Sequence, residues 1–130
     1  MESTIPDDLR YTASDEWVRR DGDEMVSGIT AFAAEQLGDI VYLQFPTAKE
    51  HYDQGQAYGE IESVKAVSDL NAPLACEIVD VNWDVDENPA LVNDDPYGRG
   101  WLVRFKPDDA TDYESLLDAA AYRQSVTERS

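Results

Sequence analysis

The sequence predicts a mainly β fold, a small sandwich or barrel with one helix at its C-terminal end. Three observations point there. Between Glu16 and Lys106, six or seven short runs of β-branched and aromatic residues alternate with Gly, Pro and Asp turn signals. Beyond them, Thr111 to Ala121 has the spacing of an amphipathic helix. With 130 residues, including 3 Trp, 7 Tyr and 3 Phe, the chain has the length and apolar content for one core, and residues 1–130 read as a single domain.

Taken in order, Glu16-Trp-Val-Arg-Arg20 and Glu24-Met-Val-Ser-Gly28 flank Asp21-Gly22 and read as a hairpin. Ile29 to Leu37 reads as a helix capped by Thr30 and ended by Gly38, with Phe32 and Leu37 facing the core. Asp39 to Phe45 is a strand that stops at Pro46, and Lys49 to Gln54 is a polar loop. Ala57 to Val64 and Ala66 to Leu70 read as strands broken at Lys65, and Leu74 to Val81 as another after Pro73. Asn88-Pro89 favours a short helical turn that starts at the proline. Trp101 to Lys106 is a strand with Trp101, Val103 and Phe105 on one face, closed by Pro107. The last helix opens on a Thr111–Glu114 capping box and presents Tyr113, Leu116, Leu117, Ala120 and Ala121 as core cover.

Composition excludes several functions. The 28 Asp and Glu against 10 Lys and Arg give a net charge of −18, which opposes binding to nucleic acid and to anionic membranes. Aromatic residues from Tyr11 to Tyr122 argue against an acidic disordered chain. So acidic and lysine-poor a chain suits a high-salt medium, where self-repulsion is screened. Cys76 is the only cysteine and His51 the only histidine, which removes intramolecular disulfides, His-ligated metals and most triads. His51 reads as a solvated loop residue. Cys76 reads as a small hydrophobe, with a nucleophilic role as the alternative. The acidic runs Asp84-Val-Asp-Glu87 and Asp94-Asp95 lack the spacing of a calcium loop and read as solvated surface. The N-terminal residues carry no signal-peptide pattern, no run is long enough to span a membrane, and a cytoplasmic location is expected.

Lys65 stands apart. It is one of three lysines and sits where a tight hairpin turns, between the small neighbours Val64 and Ala66. It is either an exposed turn lysine or an amine presented to a modifying enzyme. Glu62-Ser-Val-Lys-Ala-Val-Ser-Asp69, followed by Ala72-Pro73, resembles the lipoyl-attachment hairpin of the glycine cleavage system H-protein family. Glu16-Trp-Val18, Val26-Ser-Gly-Ile-Thr30, Leu37-Gly-Asp-Ile-Val41 and Asn93-Asp-Asp-Pro-Tyr-Gly-Arg-Gly-Trp101 stand in that family's order and spacing. The Asn-x-x-Pro-x-Gly-x-Gly-Trp run is similar to the H protein rather than to shorter lipoyl domains, and biotin carriers usually flank their lysine with methionines.

The resemblance implies a barrel-sandwich hybrid of the lipoyl- and biotinyl-carrier kind, with lipoate held as an amide on Lys65. It implies that Glu62 and the position of Cys76 serve recognition by the lipoate ligase or lipoyltransferase. The family usually has glycine where Cys76 stands and histidine where Asp15 stands. The implied role is that of a carrier and not an enzyme, with chemistry resident on the cofactor. It would take the aminomethyl group of glycine from a pyridoxal-phosphate glycine decarboxylase to a tetrahydrofolate-dependent aminomethyltransferase. A dihydrolipoyl dehydrogenase would then reoxidise the arm. Between visits the loaded arm is expected to dock against the body of the protein, and partner contacts to rest on apolar patches around the hairpin. The alternatives are a relay that donates lipoyl groups to other carriers, and a small enzyme built on Cys76.

Overall fold

The computed structural model describes residues 4–46 and 50–129. Two antiparallel sheets carry the fold. The larger has six strands in the order β1 (Arg10–Tyr11), β2 (Glu16–Asp21), β3 (Glu24–Ile29), β9 (Val103–Pro107), β8 (Cys76–Val81) and β5 (His51–Tyr52). The smaller joins β4 (Ile40–Gln44), β6 (Ala57–Ser63) and β7 (Val67–Asn71). This is the mainly β, two-sheet architecture expected, with a helix at the C-terminal end.

The main core draws on both sheets: Val18, Ile61, Leu70, Ile78, Val103 and Phe105 are all buried in one cluster. A second cluster lies on the other face of β2 and β3, where Tyr11, Trp17, Val26, Ala119 and Tyr122 pack together. Period-two alternation along β2 explains the split, since Trp17 points to one side and Val18 to the other. Trp17 pairs directly with Gly28 across β2 and β3. A Cβ on Gly28 would stand 2.9 Å from the indole nitrogen, so the glycine makes room for the ring. The indole N–H donates to the Pro96 carbonyl at 2.9 Å.

Helix α1 (Ala31–Leu37) begins as expected, with Thr30 Oγ1 accepting from the Ala33 N–H, and ends at Gly38 with φ 82°. Its buried residue is Ala34, while Phe32 is only half-buried, a correction to the expected core face. α3 (Ala90–Asp94) follows Pro89 as expected. α2 (Trp83–Glu87) was not foreseen. One turn is too short for periodicity to show, and it is held by Asn82, whose side chain accepts from the Asp84 N–H, with Asp84 and Asp86 favourable at the helix N-terminus.

Other expectations need correction. β1 and β5 are two-residue strands, too short for an alternating pattern. His51 and Tyr52 of the expected polar loop thus become a sheet edge; Lys49, also placed in that loop, lies outside the described residues. Trp101 precedes β9 and packs on the second cluster, whereas Val103 and Phe105 enter the first. The C-terminal helix also starts later than expected. Ala110–Ser115 is a 3-10 turn whose cap is Asp109, not a Thr111–Glu114 box. Leu117 then pairs with Tyr11 through two backbone hydrogen bonds, which no helix could allow at that point. α4 (Ala119–Arg129) follows, with Asp118 accepting from the Ala121 N–H. Ala119 and Tyr122 are its buried residues, and Ala120 and Ala121 are exposed.

Candidate functional site

The hairpin of β6 and β7 pairs as far as Glu62 and Val67, leaving Ser63 to Ala66 as its tip. Ser63 closes that turn. Its N–H donates to the Ala66 carbonyl at 2.8 Å, and its buried Oγ accepts from the N–H groups of Ala66 and Lys65 at 3.0 and 3.3 Å. A serine that bonds its own turn in this way replaces missing ladder bonds and fixes the loop. The Val64 N–H donates to the Asp39 carbonyl at 3.1 Å, which ties the tip to the segment between α1 and β4. That segment is itself held by Asn93 of α3. The Asn93 amide donates to the Gly38 carbonyl, and its oxygen accepts from the Ile40 N–H, each at 2.9 Å. Asn93 therefore supports the tip from beneath.

Lys65 stands exposed on that tip. Its stem passes over Gly38, where an added Cβ would lie 3.6 Å from the Lys65 Cε. Gly38 thus ends the helix with a positive φ, and the lysine stem lies within van der Waals reach of it. Beside the tip, Tyr42, Glu62 and Val67 stand in register across β4, β6 and β7. All three are exposed on the sheet, and Val64 is 70% exposed at the tip. The result is an apolar patch around the lysine with one carboxylate at its centre.

A cleft of about 160 Å³ opens between α1, the start of β2 and the hairpin strands. Ile29, Ala33, Leu37 and Ile61 form its apolar wall, and Ser14, Asp15, Glu16, Ser68 and Asp69 supply polar groups. No basic side chain lines it. Glu16 is the buried acid, 2% exposed, and accepts from Thr12 Oγ1 at 2.5 Å and Ser14 Oγ at 2.6 Å. Burial pushes its carboxyl up to about 7, helped by nearby Asp15 and opposed by the hydrogen bonds from Ser14, Thr12 and the Asn71 backbone. Sequence reasoning missed Glu16. Alternation offered the signal, because Glu16 lies two residues before core-facing Val18 on the same face of β2.

The remaining candidates are far less suited to chemistry. Cys76 is fully buried in β8, and burial raises its thiol to about 12, so it offers no thiolate. Its backbone is not left-handed, so a side chain is accommodated there without strain. Cys76 pairs with Tyr52 and Pro107 in the larger sheet, whereas Glu62 belongs to the smaller and Lys65 to the turn between its strands. His51 is exposed but not merely solvated: its ring bonds Asp108 at 2.7 Å, and that bond raises its pKa. Among the described residues no group of three or more His, Cys, Asp or Glu could hold a metal ion. No described helix is long and apolar enough to cross a membrane.

Comparison with known proteins gives one consistent family. The family described as "Glycine cleavage H-protein" matches residues 9–129. The chain is 52% identical over 122 residues to the glycine cleavage system H protein of Bacteroides thetaiotaomicron, covering 94% of this chain and 97% of the relative. It is 50% identical to that of Mycobacterium avium, covering 97% of this chain and 99% of the relative. The crystal structure of the H protein from Mycobacterium marinum superposes with a TM-score of 0.84 at 41% identity, over 92% of this chain and 97% of that one. The chain belongs to the glycine cleavage H-protein family, and is a lipoyl carrier subunit rather than a catalytic enzyme.

Proposed function

We propose that Lys65 bears lipoate as an amide on its Nζ, and that the chain carries the aminomethyl group of glycine between a pyridoxal-phosphate glycine decarboxylase and a tetrahydrofolate-dependent aminomethyltransferase. A dihydrolipoyl dehydrogenase and a lipoate-attaching enzyme complete the partners. The observation that carries this reading is the lysine at a hydrogen-bonded tip. Among the described residues none bonds or pairs with its ammonium, and its neighbours Val64 and Ala66 leave it accessible. When bound, lipoate supplies a strained disulfide that accepts a group reductively and is afterwards reoxidised.

The residues of the chain do the rest. Ser63, Asp39 and Asn93 hold the attachment point still while the side chain beyond it stays free. Tyr42, Val64 and Val67 offer apolar contact that salt does not screen, and Glu62 marks their centre for the attaching enzyme. This fits a surface whose −18 charge we read as adaptation to a salt-rich cytoplasm. The cleft beside the hairpin, walled by apolar side chains and floored by the buried Glu16, suits a small cationic amine carried on the arm. There the amine is shielded from water.

The test is lipoylation followed by peptide mass measurement. Incubation with lipoate, ATP and a lipoate ligase should give one adduct, on Lys65, and none in Lys65→Arg. Only the modified protein should support glycine-dependent carbon dioxide exchange with the decarboxylase. Full exchange by protein unmodified at Lys65 would overturn the reading.

A further inference from the structure

The polar rim of the cleft is tied to the far end of the chain. Asp15 lines the cleft and is the only described non-glycine residue with positive φ, at 72°. Aspartate tolerates that conformation better than most residues but does not impose it, so the surroundings must. Its backbone carbonyl accepts from the Thr30 N–H at 3.0 Å, which joins the turn to the cap of α1. Its carboxylate accepts from the Tyr122 hydroxyl at 2.8 Å, and Tyr122 in turn shares a 2.7 Å hydrogen bond with Thr30 Oγ1.

Arg129, at the last turn of α4, completes the arrangement. Its Nη1 and Nη2 donate to the two Asp15 oxygens at 3.0 and 2.7 Å, a two-pronged pairing that a planar guanidinium allows and an ammonium does not. The guanidinium lies 5.2 Å over the ring of Phe32, on α1. Capping of α4 accounts for one contact only, the 3.3 Å bond from Nε to the Ser125 carbonyl. The fork on Asp15 and the stacking on Phe32 are left over, and both reach elements that wall the cleft. They also account for Phe32 standing half-buried instead of in the core.

We propose that Arg129 is a positioning residue for the cleft: it clamps Asp15 against α1 and so holds the Ser14–Glu16 turn in the shape that receives a cationic amine. This rests on the reading of the cleft given above. A clamp and simple charge have opposite effects on cation binding. Removing a cation near an acidic cleft strengthens cation binding on Coulombic grounds. Removing a clamp weakens it.

The unlipoylated full chain can be titrated with methylammonium chloride at constant ionic strength, following the methyl signals of Ala33 and Ile61 by NMR. Binding that disappears in Glu16→Gln establishes the cleft as the site. Arg129→Gln should then bind about threefold more weakly, the size expected of a partly exposed ion pair, with Arg129→Lys in between. Phe32→Leu removes the stacking face without touching charge and should also weaken binding. Unchanged or tighter binding in Arg129→Gln, with Glu16→Gln still inactive, overturns the clamp and leaves the cleft reading intact. No binding by the unaltered protein overturns both. Melting curves on each variant confine the comparison to folded protein.

Discussion

The two ends of the small molecule are held together by different forces. Beneath α4, the Tyr11 and Tyr122 rings stack at 4.6 Å, and Trp17 is fully buried against Gly28. At the hairpin tip, by contrast, Val64 and Lys65 are exposed, and order comes from backbone bonds to Ser63 and Asp39. Packing gives large, non-directional stabilisation but removes surface from use. Hydrogen bonds at a turn fix its backbone while leaving its side chains free, which a carrier requires of the residue that holds its arm.

The contrast breaks first at Trp17. Trp17→Ala removes the largest buried side chain of the second cluster and the bond to Pro96, and should cost about 3–5 kcal/mol of stability. Denaturant unfolding measures it. The lipoylation rate of the molecules still folded should stay unchanged, because no hydrogen bond of the tip involves this cluster. A slower rate in the folded fraction would mean that the two ends are coupled.

Glu16 shares a strand with Trp17 and yet faces the cleft. Its carboxyl is raised from 4.5 to about 7, so the folded protein binds this proton more tightly than the unfolded chain does. That contribution is complete below pH 4.5 and is lost as pH rises through about 7. The loss amounts to about 3 kcal/mol at most, working against the usual gain of stability above the acid range. Unfolding free energies between pH 5 and 8 should show the decline, and Glu16→Gln should flatten it. An identical pH profile in the variant would show that Glu16 titrates normally.

The difference between the regions also decides what could be read from the chain. The Asp21-Gly22 turn signal made β2 and β3 legible, β-branched and aromatic content made β4 so, and one-face spacing β9; Lys65 was visible as a break between two β patterns. Features held by single polar contacts were not legible. The break before α4 depends on Leu117 meeting Tyr11, over one hundred residues away, and neither residue announces the pairing. α2 is one turn on an asparagine cap, and β5 is two residues whose partner lies in β8. The cleft is assembled from β2, α1 and the hairpin, so only the fold brings Glu16 and Ile61 together.

The smallest expected effect is also the most specific. Asn93 lies in α3, away from the tip in sequence, yet its side chain bonds both Gly38 and Ile40, the residues that flank Asp39. Asn93→Ala leaves a buried-side carbonyl and N–H without partners and should cost about 2 kcal/mol. Unlike the Trp17 change, it should also slow lipoylation of folded protein, since Asp39 is the acceptor for Val64 and a looser Asp39 releases the tip. Hydrogen exchange at the Val64 amide reads this directly. Faster exchange there, with Trp17-side amides unchanged, makes the tip a separately supported unit. Unaltered exchange at Val64 would mean that Ser63 alone is sufficient, and that the long Asn93 motif serves the body of the fold instead of its lysine.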